Sequence, residues 1–369
     1  MIFIRFLHVC FVTFVTQAVR SMTGLFAFER SDMYINYDKN GYIKIPDLLS
    51  CGQPFIFVTG GRGTGKTYGA LKYVLESGKR FMWMRRTQNE TDMINKPEFQ
   101  PFKVLNDDYD RNIQPHPISK GSAAFIDEDA SDEPIGYTCA LSTIANMRGF
   151  DASDVEILIY DEFIPERHKA SMKAEGDALL NAYETLNRNR ELQGKAPLQL
   201  LALSNSNNLD NAIFNDLNLV DICEQMETLE QDERIEEDRG LALFFLNRSP
   251  VSDKKSRTAL YKFAAGSAFN DMALENQFND FREHKSVKRN LTEYIPVAQV
   301  GDLCLYRHKS NKRYYCTRKK SGVFRNIYTK SEKDQLAFVR QYPLLYDLYL
   351  RRKIDFSDYA SEILFRNLY

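Results

Sequence analysis

Residues 60–67 read Gly60-Gly61-Arg62-Gly63-Thr64-Gly65-Lys66-Thr67, and this octet decides the fold. It fits the phosphate-loop pattern G-x-x-x-x-G-K-[ST]. Before it, Phe55-Ile56-Phe57-Val58-Thr59 is an apolar run that predicts a buried strand. After it, Ala70, Leu71, Val74 and Leu75 repeat at helical spacing from Lys66 to Ser77, and Gly78 is a C-terminal stop. Strand, glycine loop and helix in that order are the context this motif demands. The glycines let backbone N–H groups converge on phosphate oxygens, and the helix N-terminus adds partial positive charge. Lys66 is placed to reach the β- and γ-phosphates of ATP, and the Thr67 hydroxyl to ligate Mg²⁺.

Downstream, Ile157-Leu158-Ile159-Tyr160-Asp161-Glu162 has the form of a Walker B strand. Its acids emerge at the carboxyl end, where ligands bind in open α/β sheets. Asp161 is expected to hold Mg²⁺ and Glu162 to polarise the attacking water. A further apolar run, Leu198 to Leu203, ends in Ser204-Asn205-Ser206-Asn207-Asn208. Asn205 there reads either as a sensor of the γ-phosphate or as part of an Asn-rich turn capping the next helix. Arg188 and Arg190 close a predicted helix over 177–190; they read as cations at a helix C-terminus or as an arginine finger for a neighbouring subunit.

Phe81-Met82-Trp83-Met84, ending in Arg85-Arg86, predicts another buried strand, and Ala123–Ile126 and Ile135–Leu141 predict two more around an acidic turn. Residues 107–122 read as loop. Strands alternating with helices predict an α/β fold: a P-loop NTPase domain of the ASCE type with a mostly parallel sheet covered on both faces.

The 369 residues allow about two domains. With 43% hydrophobic and 27% charged residues the composition is globular, which excludes a disordered or collagenous chain. The 6 cysteines form no C-x-x-C pair, so neither a zinc ribbon nor a disulfide scaffold is supported. Net charge is −1, but it is split: from residue 251 onward 23 Lys+Arg against 13 Asp+Glu give +10, and the rest carries −11. A basic half points to a polyanionic partner.

Residues 1–21 form a leader whose uncharged stretch, Phe6 to Val19, is 14 residues long. That is short of the ~20 apolar residues of a spanning helix. It lacks a good signal cleavage site, so a start at Met22 is the preferred reading over a signal or a membrane anchor. The P-loop domain is then expected over 22–220, a solvated acidic linker over 221–250 and a basic domain over 251–369. In that last domain Leu303–Tyr306 and Arg313–Cys316 predict a hairpin, and Leu336, Val339, Leu344 and Leu348 predict an apolar helical stripe. No acid lies between Asp302 and Glu332, and Arg307, Lys309, Lys312, Arg313, Arg318, Lys319 and Lys320 are the candidate DNA contacts. Glu293 and Asp302 are the only strand-borne acid pair, too few for a metal nuclease.

Taken together, these residues resemble the DNA-packaging ATPases of short-tailed phages of the phi-twenty-nine type, which are terminase large-subunit-like. The resemblance rests on G-G-R-G-T-G-K-T (60–67), W-M-R-R (83–86), I-Y-D-E-F-I (159–164), A-L-L-N (178–181), N-R-N-R-E (187–191), L-S-N (203–205) and A-L-E-N-Q-F (273–278) in joint order. It implies an ATP-driven homo-oligomeric ring, pentameric in the best-known relatives, that moves double-stranded DNA through a portal into a prohead. It implies action in the host cytoplasm, transiently on the prohead, with no membrane. It places trans-acting basic residues at Arg188 and Arg148. It also implies an α+β, RNase H-like but nuclease-inactive domain at the C-terminal end. The resemblance leaves a prohead RNA and a protein-capped genome open.

Overall fold

The structure, a computed structural model, describes residues 33–147, 152–165, 172, 174–205, 208–247, 249–267, 270 and 286–369. The expectations for the leader 1–21, for Arg148 and for 273–278 lie outside the described residues.

The first sheet has nine strands: β1 (Phe55–Gly60), β2 (Phe81–Arg85), β3 (Ile113–Ser119), β4 (Ser122–Asp127), β5 (Pro134–Ala140), β6 (Ile157–Asp161), β7 (Gln199–Ser204), β8 (Glu233–Glu236) and β9 (Leu241–Leu246). Their order is β3-β4-β5-β2-β6-β7-β1-β9-β8. The strands from β5 across to β9 are parallel, and β3, β4 and β8 are antiparallel additions at the edges. Alternation along each strand divides the apolar residues between two cores. Phe57, Leu158, Tyr160 and Leu200 face one, beneath the helix Glu175–Asn187. Ile56, Val58, Ile157, Ile159 and Leu201 face the other, beneath the helix Lys66–Ser77. Each buried side chain of this kind contributes about 1.5–3 kcal/mol, so the pattern of runs in the sequence specifies the register.

The first domain departs from the sequence expectation at two places. The loop over 107–122 contains the edge strand β3, paired antiparallel with β4; its Pro115 and Pro117 are tolerable because an edge strand has unpaired N–H positions. The linker over 221–250 is built into the first domain. Its acids lie on the helix Val220–Thr228, on β8 and in the turns that flank β8, and β9 pairs directly with β1. The acids face outward or accept hydrogen bonds, as Glu233 does from the Tyr34 and Ile35 N–H groups at 3.0 and 3.3 Å.

The second sheet, in order β13-β10-β11-β12-β14, comprises β10 (Tyr294–Val300), β11 (Leu303–His308), β12 (Tyr314–Thr317), β13 (Asn326–Tyr328) and β14 (Ile354–Phe356). β10, β11 and β12 are antiparallel neighbours, while β13 and β14 join the edges in parallel, so the domain is α+β as expected. The expected apolar stripe is only half right. Leu336 and Leu344 are 50% and 72% exposed, and the buried anchors are Phe338 and Leu345. The helix Tyr359–Arg366 serves both domains: Tyr359 and Ile363 enter a core of the first, Phe365 that of the second. Arg366 pairs with Asp210 at 3.0 Å, and Arg318 pairs with Asp221 at 2.7 Å across the same boundary.

A buried ion pair fixes the carboxyl ends of β2 and β6. Arg86 holds Glu175 through two bonds of 2.7 and 2.9 Å, and the Tyr160 hydroxyl donates to the same carboxylate at 2.7 Å. Glu175→Ala is expected to destabilise the protein by about 3–5 kcal/mol in urea titration, because it strands a buried guanidinium. Replacing Arg86 and Glu175 together by apolar residues is expected to recover much of that loss; a Glu175→Ala effect below about 1 kcal/mol would show the pair is not truly desolvated.

Candidate nucleotide site

β1 carries the chain to the phosphate loop, and the helix Lys66–Ser77 carries it away. Gly65 is the N-cap at φ +89° and Gly63 stands at φ +72°, left-handed conformations that a side chain would strain. No side chain caps this helix, so its first N–H groups are open to an anion. Lys66 Nζ donates to the carbonyls of Gly60 and Gly61 at 2.9 and 3.0 Å and to Thr64 Oγ1 at 3.1 Å. Burial lowers its pKa to about 7, against the pull of Asp161. An ammonium so held in a buried loop favours an incoming polyanion.

The acidic tip of β6 meets this loop. Thr67 Oγ1 donates to Asp161 Oδ1 at 3.3 Å. The pairing of β6 with β7 and of β7 with β1 sets Asp161 opposite Leu203 and Ser204 opposite Thr59. Burial pushes the Asp161 carboxyl up, while Arg85 pulls it down. Hydroxyl and carboxylate oxygens side by side suit a hard divalent cation such as Mg²⁺. Glu162 follows at φ +57°, a backbone position rarely taken by a side-chain-bearing residue and enriched at functional sites.

Arg85 is the site residue that the sequence did not single out. At the end of β2 it bonds Asp161 Oδ2 at 2.9 Å and Glu162 Oε2 at 2.6 Å. Its signal is the basic doublet Arg85-Arg86 closing an apolar run. Only the strand order, with β2 beside β6, shows that the doublet faces the acids on one side and Glu175 on the other.

Asn205 lies just past β7, between the ends of β1 and β6. The cap of the next helix is Asn211, whose side chain accepts from Phe214 N at 2.9 Å, so capping does not explain Asn205. Arg188 ends the helix Glu175–Asn187 and is exposed. That helix starts at the Arg86 end of the sheet and runs about 20 Å to the opposite end, where Arg190 bonds the Val155 carbonyl at 2.8 Å. Arg188 is therefore far from the phosphate loop of the same chain.

In the second domain Arg307, Lys309 and Lys312 are exposed on β11 and its turn, and Lys319 and Lys320 are exposed at the other end of the hairpin. Arg313 and Arg318 differ from the rest: Arg313 pairs with Asp355, and Arg318 with Asp221 and Asp358. Glu293 and Asp302 lie at opposite ends of β10, so they form no pair.

A family model described as Podovirus DNA encapsidation protein (Gp16) matches residues 37–348, and the chain belongs to that family. The DNA packaging proteins of Bacillus phages PZA and phi29 are each 26% identical to it over 247 residues, 65% of this chain and 67% of theirs. That of Bacillus phage B103 is 27% identical over 238 residues. The fold is shared with the bacteriophage Phi-29 viral genome packaging motor assembly, at TM-score 0.62 and 19% identity over 89% of this chain and 100% of that one. It is shared with the Phi-28 gp11 DNA packaging motor at TM-score 0.61 and 18% identity, over 89% and 96%.

The Lys66 pKa of about 7 fixes the sign of a pH effect. Between that value and about 10.4 the unfolded chain holds a proton that the folded chain lacks, so stability from this site rises with pH in that window and is flat below it. In urea titrations from pH ~7 to pH ~9.5, wild type is expected to gain on Lys66→Met as pH rises. A constant gap would mean that Lys66 is not desolvated.

Proposed function

We propose that this member of the DNA encapsidation family is an ATP-driven motor that moves double-stranded viral DNA through a portal into a prohead. The observation that carries the reading is the contact of Thr67 with Asp161, which joins the phosphate loop and the acidic tip in one site. The loop from Gly60 to Gly65, with Arg62 and Thr64 in it, and Lys66 would cradle the triphosphate. Thr67 and Asp161 would hold Mg²⁺, which neutralises phosphate charge when bound.

Glu162 accepts a proton from the attacking water. In the structure Arg85 holds this carboxylate in an ion pair, so Arg85 must release it before it can act as base. Asn205, just past the strand between loop and tip, would register the terminal phosphate. Arg188, remote from its own loop, serves a neighbouring subunit in a ring, and the family resemblance adds Arg148. Such trans-acting arginines are worth roughly 10³–10⁵ in rate. Ring size and any packaging RNA belong to the same proposal as expectations from the family, as do portal docking and residence in the host cytoplasm.

The exposed cations Arg307, Lys309 and Lys312 form the part of the basic domain best placed to follow DNA phosphates without reading bases. We take the domain to have no nuclease activity. Its sheet acid Asp355 is committed to Arg313 and Arg289 at 2.5 and 2.8 Å.

ATP turnover of the assembled ring, with and without duplex DNA, tests the reading. Wild type is expected to be stimulated by DNA. Glu162→Gln is expected to keep nucleotide binding and lose about 10²–10⁴ in turnover. Turnover indifferent to DNA in an assembled ring would overturn the motor. Replacing Arg307, Lys309 and Lys312 by Gln is expected to make the slope of log K against log salt shallower by about 0.9 for each DNA phosphate that is no longer neutralised; an unchanged slope would move the DNA grip elsewhere.

A further inference from the structure

A second lysine stands over the phosphate loop. Lys255 ends the short helix Pro250–Lys255, which follows β9, the strand beside β1. Its ammonium donates to the Arg62 carbonyl and fills the space where a side chain at Gly63 would stand. With glycine at position 63 the ammonium can sit against the backbone of the loop.

The lysine is held there by a built scaffold. Ser249 Oγ donates to the Gly41 carbonyl at 3.2 Å, and Lys254 Nζ donates to the Asn40 carbonyl at 2.9 Å. The same turn reaches the loop, since Ile43 N donates to the Thr64 carbonyl at 2.9 Å. The Tyr42 ring lies against Gly65 as Lys255 lies against Gly63. Two segments distant in sequence thus meet at Gly41, and both reach the loop.

Among the described residues no carboxylate pairs with Lys255. Burial and the nearby Arg62 lower its pKa, and its charge in turn bears on Lys66. Three consecutive loop carbonyls, those of Gly60, Gly61 and Arg62, are therefore held by two ammonium groups without an acid in hydrogen-bonding contact with either. An ammonium has three donors, and the Arg62 carbonyl takes one. We infer that Lys255 is a second cationic ligand for the phosphate chain of the bound nucleotide, acting in cis beside Lys66. The ligand class is a nucleoside di- or triphosphate. The inference rests on the reading of residues 60–67 as a phosphate site.

Binding of fluorescent ATP, ADP and AMP analogues to full-length wild type, Lys255→Gln and Lys255→Arg tests it, with thermal melting recorded for each variant. Lys255→Gln is expected to weaken ATP and ADP binding about ten- to hundredfold and AMP binding less, at an unchanged melting temperature. Lys255→Arg is expected to restore most of the affinity, because it keeps charge and donors. ADP and ATP affinities within about twofold of wild type, or an equal loss for all three nucleotides, would overturn the role of Lys255 while leaving the loop's own role standing. Wild type that binds no nucleotide would overturn both.

Discussion

The first domain depends on one constraint: β7 lies between β1 and β6, in register, so that all three strands end at the same level. Neighbouring strands are about 4.8 Å apart, so the loop after β1 and the acids after β6 are separated by about 10 Å of sheet. Thr67, in the first turn of the helix that leaves the loop, reaches across that gap to Asp161. The register is set by burial on both faces: a slip of one residue would turn Ile157 and Ile159 to the face now occupied by Leu158 and Tyr160. Apolar packing well below the site thus determines whether its polar groups meet.

What the sequence reveals follows from the same physics. β1, β2, β6 and β7 are buried on both faces, so each is a near-continuous apolar run and easy to recognise. β9, Leu241-Ala242-Leu243-Phe244-Phe245-Leu246, is equally apolar. The acidic residues before it mask it, because they set the reading for the whole stretch. Charge density does not distinguish a solvated linker from an edge strand and a helix with one exposed face. Arg85 is hidden for another reason: its role depends on strand order, which pairs elements remote in sequence, and no local pattern encodes it.

The basic domain shows where composition misleads. The seven candidate contacts in an acid-free interval read as one surface, yet Arg313 and Arg318 are matched to Asp355, Asp221 and Asp358, all outside that interval. Their partners are supplied by folding and by the neighbouring domain. The other five candidates fall into two groups at the two ends of a hairpin, so the sequence overstates both the number and the continuity of the charges facing solvent.

The helix Tyr359–Arg366 has its aromatic and aliphatic side chains divided between two cores, with Arg366 clasping Asp210 a few residues after Asn205. A joint of this kind behaves as a stiff strut. Load on the smaller sheet is delivered straight to the turn beyond β7 of the larger one, with little slack to take up. Any swing of one body against the other has to shear packed side chains, so it proceeds as a jump between discrete seats and not as a gradual bend.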